Sequence, residues 1–353
     1  MHRFIQKSLF IKALCCTGLL TFMSCDKSFV YDYEGDCELN YKLKFVYDMN
    51  LKWADAFNSE VKSVRVYAFN TEGTLVKEYM QNGSALSDPE FAIDLDLPVG
   101  SYNLMAWCGI DNAGITDQSF SAPESNGMNI TSLDCSLNWK SDATYPAYSD
   151  QHLQFMYYGK LEGITIEAEN DYGGTITYTM PLVKDTNHLR VILTQLSGDA
   201  TDVNDFTYSI EAANGVMDYQ NNLVGNQQIT YLPWALSNAD VSVGGNTEGI
   251  LETKSAVADI DLSRLTVGES DSMMLTVRNS KTGEKIATVP VIQYALLAKE
   301  YYEFAYDHSM TDQEFLDRED EYQMEFFLDS NMRWISSFIY INSWRVVLHD
   351  YQL

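Results

Sequence analysis

The sequence predicts an all-β protein built from antiparallel sandwiches, with a few short helices. Three observations carry this. Apolar and polar residues alternate along many short stretches, which is the period of a half-buried strand. Turn-forming residues separate those stretches at the spacing of an antiparallel sandwich. The 353 residues include 23 tyrosines and 16 phenylalanines but only 7 prolines, a composition that favours strands. A hydrophobic share of 46% suits a folded chain, and the length suits about two domains of roughly 100–200 residues each.

The chain opens with a targeting segment. His2, Arg3, Lys7 and Lys12 make a basic start, and Ala13 to Met23 form an uncharged apolar run. That run is shorter than the about 20 residues needed to span a bilayer and fits the apolar core of a secretory signal over residues 1–24. "FMSC" then places Cys25 after a small residue, a loose bacterial lipoprotein box with Phe22 where leucine is usual. Cys25 is read as the lipid attachment point. Ordinary signal cleavage beside a cysteine, or a structural disulfide, are the alternatives. Removing residues 1–24 takes away three Lys/Arg and no acidic residue, leaving 20 basic against 50 acidic side chains, a net charge of −30. Such a surface argues against nucleic acid, whose phosphates need cationic partners, and against electrostatic adhesion to anionic lipid. Membrane association then requires a covalent anchor.

Residues 25–36 are polar and acidic and read as a tether. A first sandwich is expected over 37–172. In "CELNYKLKFVYD", Cys37, Leu39, Tyr41, Leu43, Phe45 and Tyr47 share one face of a strand. "MNLKWADAF" follows, with Met49, Trp53 and Phe57 every four residues, as on a helix face. "VKSVRVYAF" reads as a strand and "NTEG" as a turn. "FAIDLDL" alternates again, and Pro98 and Gly100 make a tight turn into "SYNLMAWCG". A second sandwich is expected over 173–353. "GGTITYTMPL" and "NHLRVILTQL" flank Lys184-Asp185. "FTYSIEAANG", "SAVADIDLSRL", "SMMLTVRNSKTGEKIATVPV" with its hairpin at "NSKTGE", and "YYEFAYDH" continue as strands. Thr311 with Glu314 three residues later signals one short capped helix. "YQMEFFLD" and "WISSFIYINSWRVVLHDYQL" close the chain as strands.

Little catalytic chemistry is visible, so no enzyme, cofactor or metal site is expected. His152, His188, His308 and His349 have no partner at metal-ligand spacing. No nucleophile elbow, phosphate-binding loop or dinucleotide fingerprint occurs. Asp94 and Asp96 in "DLDL" look faintly calcium-like but fall on the outer face of a strand. Cys37 and Cys108 sit on inward strand faces, as buried thiols or as a Cys37–Cys108 disulfide, with Cys135 a third thiol. Exposed aromatics such as Trp139 and Trp234 could stack on sugar rings, which leaves a surface glycan-binding lipoprotein as the alternative function.

"YDYEGDC", "YDMNLKWADAF", "LPVGSYNLMAWCG", "NHLRVIL" and "INSWRVVLHD" span nearly the whole mature chain in order. Together they resemble the fimbrillin-associated anchor lipoproteins of Bacteroidales fimbriae, of FimB type. The resemblance implies two tandem transthyretin-like sandwiches, outer-membrane lipidation through Cys25, and a role at the base of a fimbria with its stalk pilins as partners. It implies too that stalk subunits lose their first strand by cleavage after an arginine. Here the first arginine after Cys25 is Arg65, already in the second strand, so this chain keeps its own first strand and accepts no donor there. The last stretch carries apolar residues on both faces: Trp344, Val346 and Leu348 on one, Val347 and Tyr351 on the other. A final edge strand and a strand donated to a pilin both give this pattern.

Overall fold

The computed structural model describes residues 39–123, 128–168, 173–197, 199–243, 251–335, 338–342 and 344–347. The signal segment, Cys25, the tether, Cys37 and Leu348 lie outside them. The chain divides into two compact units. One, of Met1–Asn40 with Ala168–Thr175, contributes only short described ends. The other, of Tyr41–Glu167 with Ile176–Leu353, carries nearly all the architecture below.

The protein is mostly β, in several sheets with short helices. A seven-stranded sheet runs in the order β3 (Leu75–Asn82), β2 (Ser63–Asn70), β5 (Gly100–Cys108), β9 (Tyr157–Ile166), β10 (Gly174–Lys184), β1 (Leu39–Val46), β4 (Ile93–Asp94). A six-stranded sheet runs β15 (Ala235–Val243), β16 (Leu251–Ser263), β11 (Thr186–Gln195), β19 (Glu321–Leu328), β20 (Phe338–Ile341), β21 (Trp344–Val347). In it, β11 and β19 pair in parallel, and the other neighbouring strands pair antiparallel. A five-stranded sheet runs β18 (Lys285–Pro290), β17 (Met274–Asn279), β12 (Phe206–Ala212), β14 (Ile229–Tyr231), β8 (Tyr148–Ser149). A three-stranded sheet joins β13 (Val216–Asp218), β7 (Asp134–Leu137) and β6 (Phe120–Ser121). Among the described residues, four short α-helices accompany the sheets: α1 (Phe57–Glu60), α2 (Val291–Leu296), α3 (Lys299–Tyr306) and α4 (Asp312–Arg318).

Strands from both sides of residue 172 share sheets. β10 begins after that point yet lies between β9 and β1. Met217 of β13 registers with Cys135 of β7, and Tyr231 of β14 with Ser149 of β8. The chain thus re-enters earlier sheets after the expected boundary. β10 and β11 belong to different sheets and are separated by Asp185 alone. That residue is fully buried, held by the Arg264 guanidinium and by Asn221 Nδ2 at 3.0 Å.

β1 keeps the expected phase. Tyr41, Leu43, Phe45 and Tyr47 are buried, and Leu43 is fully so. Phe45 stacks on Phe57 at 5.2 Å, and Tyr47 meets Tyr157 edge-on at 5.0 Å. "FAIDLDL" forms only the two-residue β4, yet Leu95 and Leu97 turn inward while Asp94 and Asp96 point out.

Two elements differ from the reading of the sequence. "MNLKWADAF" is not a helix until Phe57. The Asn50 side chain donates to the Tyr47 and Ala54 carbonyls, and Trp53 adopts a left-handed φ of 53°, which no continuing helix allows. "YYEFAYDH" is helical, not extended. Its aromatic and charged residues pair one turn apart: Tyr302 stacks on Tyr306 at 6.3 Å, and Lys299 lies 3.9 Å from Glu303. The capped helix does form. The Thr311 hydroxyl accepts from the Glu314 N–H at 3.1 Å and starts α4.

Candidate functional site

The predicted site residues fall in separate places. Cys108 in β5 and Cys135 in β7 are fully buried, and neither is in a disulfide among the described residues. Burial pushes both thiols up and keeps them protonated at neutral pH. The pairing of Cys37 lies outside the described residues. Trp344, Val346 and Val347 form β21, whose backbone pairs antiparallel with β20 from Ile341↔Trp344 to Phe338↔Val347. β21 is the last strand on its side of the sheet among the described residues. Asp94 is ion-paired with Lys42 and Asp96 with Lys77. Among the described residues, no group of three His, Cys, Asp or Glu is placed to hold a metal ion.

The structure assembles a cluster that sequence spacing conceals. Antiparallel register sets His188 and Arg190 of β11 opposite Asp261 and Asp259 of β16. Parallel register sets His188 opposite Glu321 of β19. His152 and Leu153 reach this sheet at Asp261. Further along the same segment, the Phe155 carbonyl passes close to Gly109, which follows β5; Gly109 has φ +87°, and a Cβ there would lie 1.9 Å from that oxygen. That glycine ends the "AWCG" stretch.

Asp261 is the hub. Its Oδ2 accepts from Leu153 N at 2.8 Å and lies 2.7 Å from His152 Nδ1. Its Oδ1 accepts from Trp234 Nε1 at 2.9 Å and lies 2.8 Å from His188 Nδ1. His152 stacks on Trp234 with ring centres 4.4 Å apart. Burial alone would push the His188 imidazole down. Its bonds to Asp259 and Asp261 outweigh this and push it up to about 9, so it carries a proton at neutral pH. Asp259 is held below the usual carboxylate range because His188 and Arg190 overcome the cost of its burial. Beside the hub, Lys184 is buried between Asp320 and the Phe155 ring, with Nζ 3.4 Å from the ring centre.

A cavity of about 160 Å³ opens here, lined by Trp234, His152, Phe155, Asn187, Lys184 and Glu321 among others. A second cavity of about 680 Å³ adjoins it through His152, Leu153 and Phe155 and reaches Lys62, Asn112 and Ile115. Of the two sugar-stacking candidates, Trp234 stands in this cleft. Trp139 lies instead against Gly215. The clue in the sequence was the alternation "HLR" in one strand against "DID" in another, which becomes complementary only once their register is known.

Several sheets, short helices and two buried thiols define a mostly-β protein. The chain belongs to the family described as fimbrillin-A associated anchor proteins Mfa1 and Mfa2, which matches residues 33–350. A search of curated proteins finds no match. Among solved structures, it is similar to a candidate adhesin of Bacteroides thetaiotaomicron, with 32% identity over 88% of this chain and 97% of that one, TM-score 0.74. A protein of the same organism described as a candidate for polysaccharide binding is 25% identical over 90% and 100%, TM-score 0.73. The fimbrial anchor protein Mfa2 of Porphyromonas gingivalis shares the fold, with 15% identity over 89% and 100%, TM-score 0.61.

Proposed function

We propose that this chain is the lipid-anchored base subunit of a cell-surface fimbria. It attaches the fibre to the outer membrane through Cys25 and terminates polymerisation. Its partners are the stalk pilin subunits, and it performs no catalysis. Family membership supports the anchor role. The observation that carries termination is the retained first strand. β1 occupies its place between β10 and β4 with Leu43 fully buried, and no arginine precedes it after Cys25. A groove filled by its own strand has no room for a neighbour's.

Two or three acyl chains hold a protein durably, where a single chain binds only marginally. Cys25→Ala should therefore release protein and fimbriae from the cells, and wild type should take up a palmitate analogue. If the variant keeps its fibres on the cell and wild-type protein takes up no label, the anchor reading fails. Cells lacking the chain should shed fibres of greater length. Shed fibres of unchanged length would remove the termination role alone.

A further inference from the structure

We infer that the cleft at Trp234 is a binding site for a neutral saccharide, with a sugar ring stacked on the indole and its hydroxyls reaching Glu321. This does not rest on the anchor role; either can fail without the other.

The first argument is the mounting of Trp234. An indole that merely covers a surface needs no buried carboxylate. Here Asp261, only 6% exposed, fixes the indole N–H, and His152 backs the ring, while Trp234 itself stays 37% exposed. Asp261 already accepts four partners, so it has nothing left for a ligand. Its role is to hold an aromatic face in one orientation. A platform fixed in advance loses little rotamer freedom on binding.

The second argument is the shape and lining of the space beside it. The two adjoining cavities, of about 160 and 680 Å³, together reach the range of ligand pockets, about 300–1,000 Å³. Phe155, 41% exposed, is a second aromatic surface shared by both. Around the aromatics stand polar groups rather than a dry wall. The Glu321 carboxylate accepts no hydrogen bond from the described residues, and burial raises its pKa. The Glu321 side chain shares the outer face of the sheet with His188 and Asp261 and keeps capacity for a ligand.

Charge then selects the ligand class. An anion meets Asp320, Glu321 and Asp261 on a chain of net charge −27. A cation meets Lys184 and the protonated His188, already seated in the same cavity. A wholly apolar side chain would strip water from Glu321 and give it no partner, a costly burial. A pyranose meets all three conditions: it is uncharged, it has a C–H face for the indole, and its rim of hydroxyls can donate to a carboxylate.

The test uses the intact protein purified from the cells that make it. It is applied to an array of immobilised neutral oligosaccharides (hexose, pentose and N-acetylhexosamine polymers), acidic oligosaccharides and extended peptides, with titration calorimetry on any hit. Wild type should be retained on at least one neutral glycan. Trp234→Ala should weaken that binding at least tenfold, Trp234→Phe less, and Trp139→Ala not at all. Glu321→Gln, at a surface position that keeps the fold, should weaken it several-fold. The proposal is overturned if wild type binds no neutral glycan, if it binds only acidic glycans or peptides, or if folded Trp234→Ala and Glu321→Gln bind as wild type does.

Discussion

The Arg318 guanidinium lies 3.6 Å from the centre of the Trp53 ring, and its Nη1 donates to the Asp48 carbonyl at 3.2 Å. The pair ties α4, late in the chain, to the loop that follows β1. Trp53 also meets His308 edge-on at 4.5 Å. The left-handed backbone at Trp53 is thus held by what its side chain touches.

Arg318→Lys keeps the charge but loses the planar stack and the forked donors. We expect a loss of about 1–2 kcal/mol, as for a largely desolvated cation–π pair. Urea unfolding of the intact chain measures it. A variant as stable as wild type would mean that the stack is incidental.

Leu43→Ala removes a fully buried side chain from the first strand. A cost of about 2–5 kcal/mol follows from the lost burial and the cavity left behind. A measured cost below about half a kcal/mol would contradict its central place in the core of β1.

The charge on His188 links stability to pH. Its folded pKa, about 9, stands above the ordinary 6.5. The stabilisation is therefore complete below about 6.5 and is lost as pH rises through about 9. The facing groups are Asp259, Asp261 and Glu321. The decline should be on the order of 2–3 kcal/mol and should be absent in His188→Asn. Thermal unfolding across pH 6 to 10, compared between the two proteins, decides it; parallel curves would refute the assignment.

Arg264→Met strips the partner from Asp185, whose carboxyl burial already pushes upward. Breaking a buried pair costs about 3–5 kcal/mol because one charge is left alone. The double variant Arg264→Met with Asp185→Leu should recover part of the loss. No recovery would show that the two side chains act independently.

Deleting residues 344–353 separates the two roles of the last strand. Donation to a pilin predicts a folded, membrane-held protein whose fimbriae are shed. Unfolding, or full retention of the fibres, would leave β21 as the edge strand of its own sheet and no more.

Much of this was legible in the residues. The alternation in β1 gave the buried set from Tyr41 to Tyr47, because period two has one meaning when one face is wet. Thr311 and Glu314 announced α4 because a cap is a local event. What escaped was non-local or doubly coded. Met49, Trp53 and Phe57 match a helical period, but Asn50 folds the backbone back on itself first. The aromatic run before Asp307 fits a strand by propensity, and pairing one turn apart makes it α3. The Asp261 hub needs His152, His188 and Trp234 from three distant stretches, and only register brings them together.

Asp185 has a mechanical consequence. Successive α-carbons are about 3.8 Å apart, so a single residue between β10 and β11 leaves no slack at the crossing. A longer connector would uncoil before it transmitted a pull. Here a load on the six-stranded sheet reaches the seven-stranded sheet through one taut residue, clamped sideways by Arg264 and Asn221. The joint behaves as a rivet rather than a spring: it passes on tension without lengthening.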